Sequence, residues 1–218
     1  MDKRNTLKES FLDFMHKLFD LTVLNWLWLL CCLPVLTIGP ATAAVYSVTL
    51  KMARDEDNGV AKPFFRAFRE NFLQALLLSL ALALLLVVAA GDAWFARGQE
   101  GALHTLYIVL AVVLAAIALT LAAFGFALMA RYRNGLKKHI LNAFALAFTA
   151  PGKTVALWLL LLLPFAGVLL PGAVLAQLGF VYVMFGFSAP MYFSSRILRG
   201  IFDKADGSQS PETETAQK

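Results

Sequence analysis

Four long apolar runs constrain the fold of this chain more than any other feature of its sequence. They contain no Asp, Glu, Lys or Arg and cover residues 72–90, 103–130, 155–170 and 173–187. About 20 apolar residues suffice for a helix to cross a bilayer, and a helix is required there because lipid offers no partner to backbone amides. A hydrophobic share of 60% agrees with this, since soluble domains have about 45–50%. The sequence therefore predicts an all-α membrane protein.

Two further apolar segments in the N-terminal third are shorter. Residues 21–33 are strongly apolar, and residues 40–50 would form a helix of only about 16 Å against about 30 Å of hydrocarbon. Between them, the stretch L33-P-V-L-T-I-G-P-A-T-A-A44 contains the Pro, Gly and Thr residues that are typical of a turn. We expect two short or tilted helices here, with a re-entrant pair as the alternative.

The distribution of Lys and Arg predicts the topology, because these residues accumulate near the cytoplasmic ends of membrane helices. If the chain turns at residues 33–44, eighteen of the nineteen basic residues lie on one side and only Arg97 lies on the other. One straight crossing would worsen the division to fourteen against five. Cleavage of a signal peptide after Ala43 would leave the basic segment 51–69 outside, which the same rule disfavours. Both ends are therefore predicted to be cytoplasmic.

The predicted architecture is a polytopic bundle of membrane helices in a single transmembrane domain, residues 1–202. Its six segments cover about 18–33, 40–54, 71–91, 103–130, 154–170 and 173–195. If the first two re-enter instead of crossing, the bundle has four spans and a re-entrant N-terminal hairpin. Pro171 and Gly172 are predicted to form the turn between the last two segments. Residues 203–218 lack apolar periodicity and are predicted to be a disordered cytoplasmic tail.

Amphipathic stretches rich in Phe are predicted to lie on the cytoplasmic face as elbow helices before the membrane segments. They cover residues 11–19, 64–72 and 140–148. Attraction to anionic lipid explains such stretches, and docking to cytoplasmic loops of a partner protein is the alternative. The candidate docking residues are Phe64, Phe65, Arg66, Phe68, Arg69 and Asn71.

The turn at residues 33–44 is the candidate ligand site. In transporters, a broken helix can direct its N-terminal amides at an anionic ligand. The simpler interpretation is a plain outer turn capped by Thr37 or Gly39, with Pro40 as the first helical residue. The candidate ligand or turn residues are Pro34, Thr37, Gly39, Pro40 and Thr42.

The residues at membrane depth are uncharged, whereas ion-coupled carriers usually place an ionisable group there. The polar ones are expected to form interhelical hydrogen bonds, with a substrate path as the alternative. They are Asn25, Gln74, Ser79, Thr120, Gln177 and Ser188.

Enzyme chemistry finds no support in the sequence. His16, His104 and His139 are scattered without Cys, Asp or Glu at metal-ligand spacing. Cys31 and Cys32 are adjacent within an apolar helix, where thiols behave as small hydrophobes. The net charge of +5 reflects topology, and no nucleic-acid motif accompanies it. We therefore predict no catalytic residue, cofactor, metal or nucleic-acid partner, and the lipid bilayer as the surroundings.

Four segments together indicate a family: L24-N-W-L-W-L-L30, L33-P-V-L-T-I-G-P-A-T-A-A44, F65-R-A-F-R-E-N-F72 and L141-N-A-F144. In these segments the chain resembles the YesL family of small bacterial integral membrane proteins of unknown function. The resemblance implies a location in the bacterial cell membrane. Because family members are commonly encoded beside carbohydrate ABC transporters, it also implies a non-enzymatic accessory role in sugar uptake, with an ABC permease as partner. The alternative is an autonomous small-solute carrier or channel whose site lies at residues 33–44.

Overall fold

The structure, a computed structural model, describes residues 3–56, 59–166 and 172–215, and contains no strand in that part of the chain. Its helices, in chain order, are α1 (Lys3–Cys31), α2 (Ile38–Met52), α3 (Ala61–Ala96), α4 (Gly101–Thr120), α5 (Phe126–Arg131), α6 (Leu136–Thr149), α7 (Pro151–Ala166), α8 (Gly172–Phe185) and α9 (Ser188–Thr215). A 3-10 turn, Val35–Thr37, precedes α2, and a π-helical turn, Leu121–Gly125, joins α4 to α5. The predicted all-α class is confirmed for these residues.

Several helices are long and apolar enough to cross a membrane. They are Val35–Met52, Ala61–Ala96 and Gly101–Arg131. A fourth crossing results if α6 and α7, between which the chain bends by 115°, are taken as one broken span. The predicted segments 71–91 and 103–130 fall within the second and third of these. The described residues thus contain three or four candidate spans, and the number six stays a prediction.

The predicted elbow helices are not separate elements in two of the three places. Residues 11–19 are continuous with the rest of α1, and residues 64–72 are continuous with the rest of α3. Neither helix has a break at the predicted junction. In α3, Pro63 does not interrupt the helix because it lies in the first turn, where its missing N–H is tolerated. Only α6 is a separate helix; it ends at Thr149, and the chain turns at Ala150 into α7.

The last predicted segment, 173–195, is broken in the structure. Helix α8 ends at Phe185 and α9 begins at Ser188, with Gly186 and Phe187 in a turn between them. Pro190 explains the break because it has no N–H to continue the hydrogen-bonding ladder of α8. The predicted turn at Pro171 and Gly172 includes residue 171, which lies outside the described residues.

Helix α2 forms the centre of the bundle. In its candidate span 67% of the residues are buried, compared with 22% for α3 and 28% for α4 and α5. Small residues allow this close packing: a Cβ atom on Gly39 would lie 2.4 Å from the backbone oxygen of Ala75 in α3. A short helix can therefore lie inside the bundle, where protein rather than lipid surrounds it.

Ion pairs gather the basic segments at one end of the bundle, which we call the basic end. Lys17 Nζ lies 2.8 Å from Asp55 Oδ1, which joins α1 to the segment after α2. Further pairs join α3 to the segment after α5, α5 to α9, and the segment after α2 to α9: Arg133–Glu70 at 3.4 Å, Arg131–Asp206 at 2.6 Å and Arg54–Asp203 at 3.5 Å. Arg97 follows the opposite end of the 36-residue helix α3.

Helix α9 continues into the tail that was predicted to be disordered. Asp203 and Asp206 lie within this helix, and both accept hydrogen bonds from Arg131. The contacts that hold residues 203–206 come from a distant segment, which the local composition of the tail does not reveal, and disorder in the rest of the tail stays a prediction.

Candidate functional site

The turn between α1 and α2 is held by Thr37. Its hydroxyl donates hydrogen bonds to the carbonyl oxygens of Cys31 and Pro34. Thr37 occupies the N-cap position of α2, but its side chain caps no amide. Pro40 is the third residue of α2 and not the first. The hydroxyl thus binds the end of α1 and leaves the first amides of α2 without the predicted side-chain cap.

The five predicted ligand residues do not come together in one site. Pro34 is exposed and Thr37 half-buried at the turn, whereas Gly39, Pro40 and Thr42 are buried within α2. Gly39 faces α3, and Thr42 accepts a 3.2 Å hydrogen bond from the indole N–H of Trp28. A role for these residues in ligand binding stays a prediction, and of the five only Thr42 lines a cavity.

That cavity is apolar and has a volume of about 330 Å³. Its polar groups are the hydroxyls of Thr42, Tyr46 and Ser194, together with the Trp28 indole that is bonded to Thr42. Apolar side chains from α3, α4, α5, α7 and α9 form the rest, among them Leu82, Leu119, Phe126, Phe165 and Met191. Such a lining suits an apolar chain and offers few partners to a sugar.

Buried polar contacts connect the helices around this cavity. Asn25 in α1 is fully buried; its Nδ2 donates to the carbonyl oxygen of Val183 at 2.7 Å. Its Oδ1 accepts from the amides of Phe187 and Ser188 at 3.0 and 3.1 Å. The break between α8 and α9 leaves these three backbone groups without a helical hydrogen bond. Asn25 in α1 bonds to them instead, as expected for interhelical bonding.

The other polar residues expected to bond between helices behave differently. Ser79 and Thr120 donate to carbonyl oxygens in their own helices, at Leu76 and Ala116. The side chain of Gln177 lies outside the described residues. Thr49 in α2 and Ser195 in α9, which the sequence analysis did not select, are 2.7 Å apart and buried. Interhelical pairing is therefore concentrated where α9 meets α1 and α2.

The six predicted docking residues face three directions. Phe64 is 0% exposed and belongs to the core, so it is not part of a docking surface. Phe68 is half-buried against Phe64, at a ring-centroid distance of 6.2 Å. Phe65 and Arg69 are exposed, whereas Arg66 and Asn71 line a second cavity. The helix turns about 100° per residue, so a run of consecutive residues cannot share one face.

The second cavity, which we call the polar cavity, lies at the basic end and has a volume of about 710 Å³. Three segments form it: the end of α2, the first turns of α3, and residues 129–135. Its charged lining residues are Lys51, Arg66, Glu70, Arg131 and Arg133, and its neutral polar ones are Ser47, Asn71, Gln74, Tyr132 and Asn134. Sequence analysis explained these basic residues by topology, and Arg66 also as a docking candidate, but did not predict that they form one cavity.

Tyr132 and Arg131 connect the polar cavity to α9. The Tyr132 hydroxyl donates to Asp206 Oδ1 at 2.8 Å, and the ring packs edge-on against Phe202. Burial, followed by the hydrogen bond to Asp206, raises the pKa of Tyr132 to about 12, so the phenol remains a neutral donor. The Arg131 guanidinium lies 5.2 Å from the centre of the Phe202 ring. This side of the cavity is thus held in place by α9.

The histidines and cysteines are not among the lining residues of either cavity. His104 Nδ1 is 2.8 Å from the carbonyl oxygen of Ala96, and His139 is buried in α6. Cys31 and Cys32 are half-buried free thiols. In the described part of the chain, no three His, Cys, Asp or Glu residues are close enough to hold a metal ion.

Comparison with known proteins gives one match. Residues 21–93 match the family model described as "Protein of unknown function, DUF624". The match covers about a third of the 218 residues and includes the C-terminal part of α1, all of α2 and most of α3, with the turn at 33–44. No curated protein and no solved structure matches the chain. The match agrees with a resemblance to a family of unknown function, and the YesL name stays a prediction.

Proposed function

We propose that this chain is a multi-pass protein of the bacterial cell membrane with six membrane segments and both ends in the cytoplasm. Two of the segments would be α7 and the broken pair of α8 and α9, and α1 would supply the first. The proposal is supported by the ion pairs at the basic end, which join segments 17, 54–70, 131–133 and 203–206. Basic residues favour the cytoplasmic side, so the basic end would face inward.

On this architecture, the protein would act as a non-enzymatic accessory component of carbohydrate uptake through an ABC permease. The observation that carries the accessory role is the separation of the two cavities. The apolar cavity has almost no polar lining, and packed residues of the core, including Phe124 and Leu128, lie between the helices at 0% and 1% exposure. The two cavities share no lining residue, which favours an accessory protein over a carrier with one solute site. The carbohydrate part rests on the family resemblance.

The topology predicts a labelling pattern for single cysteines. In a background with Cys31 and Cys32 replaced by alanine, Gln99→Cys should react with a membrane-impermeant maleimide added to intact cells, whereas Lys62→Cys and Lys204→Cys should react only after the cells are opened. Gln99 lies between α3 and α4, away from the basic end, and Lys62 and Lys204 lie in segments at that end. The measurement is gel-shift labelling of whole cells and of inverted vesicles. The reverse pattern would contradict the orientation.

The accessory role predicts that an ABC permease co-purifies with the tagged protein from native membranes in mild detergent. Phe65 and Arg69, exposed four residues apart on α3, are the exposed predicted docking residues that do not line the polar cavity. We expect the double variant Phe65→Ala with Arg69→Ala to reduce recovery of the permease about tenfold, because few interface residues carry most of the binding energy. Quantitative mass spectrometry measures the ratio of permease to tagged protein.

The matched control for this experiment is Trp94→Ala with Arg97→Ala, an exposed aromatic and basic pair at the opposite end of α3. It should leave the recovery unchanged. Purification of the protein without a permease would overturn the accessory role and favour the carrier, for which solute flux into liposomes is the direct assay.

A further inference from the structure

We propose that the polar cavity at the basic end is a binding site for a phosphate ester, held by Lys51, Arg66, Arg131 and Arg133. This inference goes beyond the accessory role and does not depend on a partner protein. It is based on the charge of the cavity lining, the partners of each charged group and the size of the space.

The charges that line the cavity do not balance. Glu70 is the single carboxylate among its described lining residues, against four cations. Glu70 Oε1 lies 3.2 Å from Arg66 Nε, and its Oε2 lies 3.4 Å from Arg133 Nη2. One carboxylate between two arginines leaves an excess of positive charge, and a concave surface of one sign concentrates counter-ions. Arg131 is also paired with Asp203 and Asp206 of α9, so the excess is smaller than the lining alone gives, and a bound anion would balance it.

Arg131 provides the least exposed cation of the cavity, with 15% of its side chain exposed. Its Nη2 is directed to α9, where it bonds Asp206 at 2.6 Å and Asp203 at 3.2 Å. Its Nη1 is buried and has no hydrogen-bond partner among the described residues. Because this nitrogen is closed to solvent, it is also closed to a ligand in the cavity, and Arg131 would act on a bound oxyanion through its positive charge. The pairs with α9 would hold the guanidinium in place.

The neutral polar residues indicate an ester rather than inorganic phosphate. The amides of Gln74 and Asn134 and the hydroxyl of Ser47 line the same space, and Asn71 uses its Nδ2 on the carbonyl oxygen of Ala67. Such groups pair with hydroxyl or ester oxygens. The volume of about 710 Å³ is in the range of small-molecule sites, about 300–1,000 Å³, and leaves room for an organic group beside the phosphate.

Arginine is the residue best suited to this ligand, because its planar guanidinium can donate two parallel hydrogen bonds to a phosphate. Three of the four cations are arginines. Gly135 also lines the cavity and precedes α6, which has no side-chain cap at its first turn. Free amides there would add weak attraction for an anion. A phosphate ester can come from a soluble metabolite or from the headgroup of an anionic phospholipid, and the two sources require separate experiments.

The soluble source is tested with glycerol phosphate and the full chain in nanodiscs of phosphatidylcholine. Isothermal titration calorimetry should show saturable binding that weakens with salt. We expect Arg66→Gln with Arg133→Gln to weaken binding about tenfold, because each removes a charge-assisted hydrogen bond. Glu70→Gln should strengthen it, because the competing carboxylate is removed. Arg69→Gln, on the same helix but outside the cavity, is the matched control and should bind as the original chain does.

The lipid source is tested with nanodiscs that contain equal parts of phosphatidylglycerol and phosphatidylcholine. Native mass spectrometry should show that the chain retains phosphatidylglycerol preferentially, and that the Arg66→Gln, Arg133→Gln variant loses this preference while Arg69→Gln keeps it. The side chains of Arg66 and Arg133 are 79% and 88% exposed, so their replacement should leave the fold intact, which size-exclusion chromatography verifies. Cavity-dependent binding in either experiment supports the proposal and identifies the source. If neither experiment distinguishes the double variant from the original chain, the site does not exist.

Discussion

Replacing Gly39 with alanine is expected to destabilise the protein by about 3 kcal/mol, the upper part of the range for overpacked cores. The new Cβ would lie 2.4 Å from the backbone oxygen of Ala75 and 2.7 Å from Ser79 Cβ. A backbone oxygen in the middle of α3 cannot move alone, so α2 and α3 must separate along this contact. Thermal unfolding in detergent, followed by fluorescence-detected size-exclusion chromatography, measures the loss.

Gly91→Ala is the matched control for this prediction. Gly91 also lies in α3, and a Cβ atom there would meet no other atom within 4 Å. Alanine favours a helix over glycine by about 1 kcal/mol, so this variant should be as stable as the original chain or slightly more stable. Equal stability of the Gly39 and Gly91 variants would show that α2 and α3 do not approach each other closely at Gly39.

Gly39 also illustrates what the sequence could predict. Its position in a Pro and Gly cluster correctly predicts an interruption between two helices, because turn chemistry is local. Its function in packing against Ala75 depends on a residue 36 positions away, which no local pattern reveals. The membrane spans within α3 and α4 can be predicted for the same reason as the turn. The composition of a single segment determines whether that segment can lie in lipid.

The polar cavity could not be predicted because three distant segments form it. Lys51, Arg66 and Arg131 each follow or precede a membrane segment, where the positive-inside rule accounts for a basic residue without any further role. The sequence also could not predict that Phe64 is buried and Phe65 exposed, since both belong to one amphipathic run. The position of α2 and its neighbours determines which of the two rings is covered. Basic residues that set the topology and basic residues that form a binding site look the same in a sequence. Only the distances between them in the structure distinguish the two.

Asn25→Leu is expected to destabilise the protein by about 2–4 kcal/mol. Leucine is similar in size, so the main effect is the loss of three hydrogen bonds, which leaves the carbonyl oxygen of Val183 and the amides of Phe187 and Ser188 without partners. Each hydrogen bond within a membrane contributes about 0.6 kcal/mol on average, and an unsatisfied buried group costs about 1–3 kcal/mol. Thermal unfolding in detergent measures the overall loss.

The local effect distinguishes Asn25 from an ordinary packing residue. Without it, the amides of Phe187 and Ser188 have no other acceptor among the described contacts, so the break between α8 and α9 should open more often. Hydrogen–deuterium exchange should therefore accelerate in residues 183–190 of the Asn25→Leu variant, while exchange in α3 remains slow. Asn142→Leu, on the exposed face of α6, is the matched control and should change neither exchange nor stability. Faster exchange spread evenly over all helices would instead mean that Asn25 supports the bundle as a whole and not the α8–α9 break.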